Sequence, residues 1–195
     1  MMLPYPLILL CGGQSSRMGQ PKGLMKINGR PWIEEQVRRF RDAGGRDVTV
    51  VLGFHADQYR AVLDEMRDVT GVVNPHPELG QFSSLQTGLR AISDKNVRGV
   101  FVLPIDVPAA LKETWQLLVQ SFCDGIDVSI PVYGKQGGHP VLLSTRFVEK
   151  LLAVPDDHPD ARLDRQVHHL PQSHIARASV DDPQVIANMN IPADV

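Results

Sequence analysis

Apolar and polar residues fall into repeating blocks along the chain. Leu7–Cys11 is an unbroken apolar run that stops at Gly12-Gly13, which suits a strand buried on both faces. Ile33, Val37 and Phe40 then recur at helical spacing, and Gly44-Gly45 supply a C-terminal stop. The alternation repeats: residues 48–52 read as a strand, and Tyr59, Val62, Leu63 and Met66 form a helical stripe. Residues 71–73 predict a strand, Leu85, Leu89 and Ile92 a helix, residues 100–103 a strand, and Leu111, Trp115, Leu118 and Phe122 another helix. Four strand-then-helix units in succession imply right-handed parallel crossovers. The expected class is therefore α/β, a Rossmann-like three-layer sandwich with a mostly parallel sheet. Residues 128–132 and 141–143 add strands and 146–152 a helix, but from Pro155 onward the pattern is too degraded to predict elements.

Composition narrows the class of function. A length of 195 residues favours a single domain over 1–195, and the 16 glycines and 15 prolines are scattered rather than gathered into a linker. With 43% hydrophobic residues, 22% charged residues and a net charge of −2, neither disorder nor a polybasic nucleic-acid binder is indicated. Cys11 and Cys123 are the two cysteines, expected as free thiols. The apolar opening at residues 3–11 contains two prolines and is too short to span a bilayer. It also lacks a basic start and a small-residue cleavage pattern, so the expectation is a cytoplasmic protein with neither membrane nor nucleic-acid partners.

Open α/β sheets bind ligands at the carboxyl ends of their strands, which singles out the loops at 12–22, 53–56, 74–84 and 104–108. Gly12-Gly13 directly after a strand lets backbone N–H groups approach an anion, while Arg17 and Lys22 add positive charge. The loop suits a polyphosphate, although it is neither a Walker loop nor a G-x-G-x-x-G fingerprint. Asp106 sits between Pro104 and Pro108 after the fourth strand, where a carboxylate can serve Mg²⁺ or simply cap the next helix. No ordered spacing links His168, His169 and His174 into a metal cluster, so they read as surface residues.

The run Leu10-Cys11-Gly12-Gly13-Gln14-Ser15-Ser16-Arg17-Met18-Gly19-x-x-Lys22 resembles the signature of molybdenum cofactor (molybdopterin) nucleotidyltransferases. That group belongs to the glycosyltransferase-A-like nucleotidyltransferase superfamily. Asn74-Pro75, the block from Gly80 to Leu89, Pro104-x-Asp106-x-Pro108, Gly138-His139-Pro140 and Asn188-Met189-Asn190-Ile191-Pro192-x-Asp194 are similar to its later blocks.

The resemblance implies a Mg²⁺-dependent transfer of a nucleotidyl group from CTP or GTP to the phosphate of molybdopterin or the molybdenum cofactor, with release of pyrophosphate. It implies a molybdoenzyme that receives the product. Leu10, Cys11, Gly12, Gly13, Gly53, Asn74 and Ser84 would contact the nucleotide, Arg17 and Lys22 would neutralise the triphosphate, and Asp106 and Asn190 would flank the metal. His139 would face the second substrate. The block around Leu10 is nearer the guanylyl pattern, and the Ser15 to Gln20, Gly80 to Leu89 and Gly138-His139-Pro140 blocks are nearer the cytidylyl one, which favours CTP. Alternatives are a nucleotidyltransferase acting on a sugar or polyol phosphate, or a catalytically silent protein that binds and delivers the cofactor.

Overall fold

The structure, a computed structural model, describes residues 2–14, 20–92 and 97–189. Strand β1 (Leu7–Cys11) leads to a hairpin of β2 (Lys26–Ile27) and β3 (Arg30–Pro31), followed by α1 (Trp32–Asp42), β4 (Val48–Leu52), α2 (Ala56–Glu65) and β5 (Val69–Val73). Then come α3 (Gln81–Ile92), β6 (Gly99–Pro104), α4 (Lys112–Ser121), β7 (Val128–Tyr133), β8 (Gln136–Gly137), β9 (Val141–Ser144), α5 (Thr145–Leu152), α6 (Leu163–His168) and β10 (Ile175–Ser179). Among the described residues, no helix is long and apolar enough to cross a membrane.

The main sheet has the order β10-β7-β9-β6-β1-β4-β5, with β8 paired to β7. The predicted three-layer form follows from side chains that alternate between the two faces of wholly buried strands. Leu7, Leu9 and Cys11 of β1 pack on one face with Trp32, Ile33, Val37 and Phe40 of α1 and Trp115 of α4. Ile8 and Leu10 pack on the other with Phe82, Leu85 and Leu89 of α3 and Phe147 of α5. The rings of Phe40, Phe101 and Trp115 meet at 4.9–6.3 Å between centroids, filling the first face. Helix α1 ends as its glycine pair predicts: Gly44 has φ +107°, its N–H donates to the Arg41 carbonyl, and that of Gly45 donates to the Phe40 carbonyl.

The run β4, β5, β1 and β6 is parallel, but β9 lies antiparallel between β6 and β7. The tight β7–β8 hairpin turns the chain back before it re-enters the sheet as β9. Beyond Pro155, where periodicity gave no element, the chain forms α6 and the strand β10, parallel to β7. From β1 the chain runs outward through β4 and β5, then returns to place β6 on the opposite side of β1. A crevice follows at the carboxyl ends of β1 and β6.

At the opposite end of the sheet, just before β7, the fully buried Asp127 carboxylate accepts from Arg146 Nε at 2.7 Å and Ser144 Oγ at 3.1 Å, and meets His174 Nδ1 at 2.9 Å. His174, whose side chain stays 34% exposed, keeps the surface position the sequence suggested while its ring nitrogen reaches the buried Asp127 carboxylate. Burial alone would raise the Asp127 pKa, but these hydrogen bonds and the Lys150 charge hold it at about 2.

Candidate functional site

A cavity of about 580 Å³ opens in the crevice, lined by the Leu10 to Gln14 turn, Lys22, Phe54, Tyr59, Ser84 and Asp106 among others. Glycine is required where the turn crosses its neighbours. A Cβ on Gly12 would stand 2.7 Å from Ser84 Oγ, and one on Gly53 would stand 2.4 Å from the Gly12 carbonyl oxygen. Gly53 therefore supports the turn from behind and is absent from the cavity lining. His55 Nε2, at the start of α2, donates to the Gln14 carbonyl at 2.9 Å and ties the far end of the turn down. Opposite, Lys22 opens a 3₁₀ turn whose next residue, Gly23, donates its N–H to the Tyr59 hydroxyl at 3.2 Å.

Lys22 Nζ and Asp106 Oδ2 are 3.8 Å apart, both partly exposed to the cavity. The two sequence-predicted charges from separate loops therefore meet. Asp106 does not cap a helix: α4 begins six residues later, and the buried Asp182 carboxylate serves that end by accepting from Leu111 N and Thr114 Oγ1. What holds Asp106 is a set of backbone contacts. Trp32 Nε1 donates to the Ile105 carbonyl at 2.8 Å, Met189 N to that of Asp106 at 2.7 Å, and Gln36 Nε2 to that of Val107 at 2.6 Å. Gln36 Oε1 also accepts from Ala109 N at 2.7 Å. Trp32 and Gln36 lie one turn apart on α1, so one helix face grips the loop on both sides of the carboxylate. Gln36→Ala is expected to cost about 2 kcal/mol in chemical denaturation, because two buried backbone groups lose their partners.

Behind the cavity, Asn74 is 3% exposed and engages every polar atom of its amide. Its Oδ1 accepts from His76 N at 3.0 Å and Thr87 Oγ1 at 3.4 Å, while Nδ2 donates to Ser83 Oγ at 2.9 Å and Ser84 Oγ at 3.0 Å. Ser83 passes its own proton to the Gly80 and His76 carbonyls. Ser84 faces the cavity, whereas Asn74, expected to touch nucleotide, stands behind it. Because α3 begins at Gln81, neither serine is its N-cap.

A second cavity of about 650 Å³ adjoins the first and shares Leu10, Gly80, Gln81 and Pro104 with it. Apolar residues such as Phe82, Ile130 and Val141 line it together with His139, Arg162 and Arg177. His139 is fixed through its backbone N–H to the Val185 carbonyl at 2.8 Å. Burial pushes its imidazole below the usual histidine range, against the Val102 carbonyl and the Asp106 charge, so the ring is neutral at pH 7. Its buried Nδ1 has no hydrogen-bond partner among the described residues.

Arg17 and Asn190 lie outside the described residues. Cys11 lines the first cavity but is 4% exposed, and burial pushes its thiol far above neutrality. It is inert there. Cys11→Ala is expected to leave activity within about threefold of wild type, and iodoacetamide to label the exposed Cys123 while sparing Cys11, as read by mass spectrometry. Sequence reasoning missed Trp32, Gln36, His55 and Tyr59. Gln36 carried a signal, a polar residue inside the apolar stripe of Ile33, Val37 and Phe40.

Comparison with known proteins places this geometry among relatives. Residues 7–172 match the family model of the MobA-like NTP transferase domain. A molybdenum cofactor guanylyltransferase from Xanthomonas euvesicatoria is 31% identical over 105 residues, covering 54% of this chain and 48% of that protein. The match thus spans about half the length of that relative. A probable molybdenum cofactor guanylyltransferase from Methanothermobacter thermautotrophicus is 29% identical over 198 residues, covering 96% of this chain and 95% of the relative. Among solved structures, a nucleotidyl transferase from the same archaeon superposes with a TM-score of 0.77 at 22% identity, covering 95% of this chain and 91% of that one.

Proposed function

Since the chain belongs to the MobA-like NTP transferase family, we propose that it transfers a nucleotidyl group from CTP or GTP to the terminal phosphate of molybdopterin or its metal-loaded form. The observation that carries this reading is the pair of adjoining cavities with a common wall, one holding the glycine turn, Lys22 and Asp106, the other apolar with two arginines. The relatives named molybdenum cofactor guanylyltransferase support that acceptor, and their names favour GTP as the donor.

The triphosphate would lie along the backbone of residues 10–13, where N–H groups can approach it without side-chain hindrance. Lys22 would neutralise charge on the phosphates. An oxygen of the acceptor phosphate, already ionised at neutral pH, would attack the α-phosphorus in line. The bond from that phosphorus to the bridging oxygen breaks, and the electron pair leaves with pyrophosphate. No side-chain nucleophile is needed, because such transfers depend on alignment and charge stabilisation. The buried, protonated Cys11 is consistent with that.

The carboxylate of Asp106 fits a Mg²⁺ ion carried in on the nucleotide, since this ion keeps several waters and takes one or two carboxylates with phosphate oxygens. Bound there, it would withdraw charge from the reacting phosphates.

The test is to incubate the protein with Mg²⁺, molybdopterin and each nucleoside triphosphate and to follow pyrophosphate. Release with CTP or GTP supports the reading. Release only with a sugar or polyol phosphate as acceptor, or with no acceptor at all, overturns it.

A further inference from the structure

The register of the main sheet orders the lining of the second cavity. Val102 on β6 pairs with Val141 on β9, and Arg177 on β10 pairs with Ile130 on β7. Because Ser129 faces Leu142 across the antiparallel β7–β9 ladder, Ile130 stands one step along, beside Val141. Arg177, Ile130, Val141 and Val102 therefore form one row across four neighbouring strands, and all four line the cavity. Three strand spacings of about 4.8 Å put the Arg177 backbone about 14 Å from that of Val102. Pro104, two residues beyond Val102 and paired with Leu10, belongs to the wall shared with the first cavity. The row thus runs from beside that wall, over three aliphatic side chains, to a guanidinium.

The charges of this lining differ in what they have left to offer. Arg162 is joined to Asp164 by hydrogen bonds of 3.0 and 2.9 Å, so these two charges cancel. The exposed Arg177 forms no ion pair among the described residues. His168 and Gln172 complete the polar lining around α6, and Phe82 of α3 adds an aromatic side chain to the apolar part.

We infer that Arg177 is a recognition residue for the acceptor, donating to a carbonyl oxygen on the far edge of a flat heterocycle whose phosphate reaches the shared wall. This rests on the proposed nucleotidyl transfer and deepens it by assigning the acceptor's orientation. The ring would lie on Val102, Val141 and Ile130, where apolar contact suits its faces. A pterin carries such an oxygen at C4, on the ring remote from its phosphate-bearing side chain. A guanidinium only donates, so an amino group at the same position would meet it donor against donor, and discrimination comes from the groups left unpaired in the wrong complex. A sugar or polyol phosphate would set hydroxyls against the aliphatic row and stop short of Arg177.

The experiment is calorimetric titration of the full chain with neopterin monophosphate, a pterin with a phosphorylated side chain, and with its 2,4-diamino counterpart, in which an amino group replaces the C4 oxygen. Wild type is expected to bind the 4-oxo compound at least about tenfold more tightly. Arg177→Met should weaken 4-oxo binding about tenfold, change 2,4-diamino binding less than about threefold, and leave nucleotide binding within about twofold. Equal binding of the two compounds by wild type, or a preference that survives in Arg177→Met, overturns the inference and leaves nucleotidyl transfer standing. Binding of neither compound also overturns it, and pyrophosphate release with molybdopterin then decides whether the proposed transfer falls with it.

Discussion

Alanine at Asp106 is expected to slow pyrophosphate release at least ~100-fold, with alanine at Lys22 giving a loss of similar size, as fits removal of several kcal/mol of transition-state electrostatics. The two charges sit 3.8 Å apart in one cavity although 84 residues separate them in sequence. On the proposed transfer each substitution removes a charge from beside the reacting triphosphate, and both side chains are partly exposed rather than buried in the core. A rate within a few-fold of wild type in either variant would remove that residue from the mechanism. Steady-state kinetics distinguish the roles. Loss at Asp106 should fall on kcat and resist added Mg²⁺ only in part, whereas loss at Lys22 should also raise KM for the nucleotide, because a point charge on phosphate serves ground and transition states alike.

The second large effect concerns stability. Asp127 is fully buried, and its folded-state pKa of about 2 lies below the ordinary aspartate value of 3.8. A group depressed in this way contributes stability that is complete above pH 4 and is lost as pH falls through the folded value. The difference corresponds to about 2 kcal/mol. Asp127→Ala should cost about 3 kcal/mol at pH 7 by stranding His174 and Ser144, with Arg146 and Lys150 escaping to water. In Asp127→Asn, the drop in midpoint denaturant concentration between pH 5 and pH 2.5 should shrink relative to wild type. An unchanged acid limb would show that the network carries no such linkage.

Much of the fold was legible because its centre is repetitive. The strands β1, β4 and β6 are wholly buried and read as apolar runs, and the helices between them carry clean stripes. What escaped was shaped by partners rather than by local pattern. The edge strand β10, Ile-Ala-Arg-Ala-Ser, buries only Ile175 and Ala178, so its apolar period is broken. The antiparallel setting of β9 depends on the β7–β8 hairpin, which its own residues do not encode. The β2–β3 hairpin did carry a readable sign, Asn28-Gly29, both at positive φ as this two-residue turn requires.

The site divides in the same way. Lys22, Asp106, Gly12 and Gly13 could be found because charge and glycine after a strand have a local meaning. Asn74 and Gly53, read in the sequence as nucleotide contacts, stand one layer back, since contact with the cavity depends on how the turn after β1 crosses α3 and the loop after β4. Trp32 and Gln36 act on Asp106 through backbone carbonyls more than seventy residues away, and no spacing rule connects them.

The partition formed by Leu10, Gly80, Gln81 and Pro104 has a practical corollary. A synthetic compound joining a nucleoside to a pterin through a short phosphate bridge could occupy both chambers at once without crossing bulk water. Holding one end would hugely enrich the other locally, so such a tethered inhibitor should outbind either fragment by ~100-fold or more, provided the bridge matches the thickness of the divide.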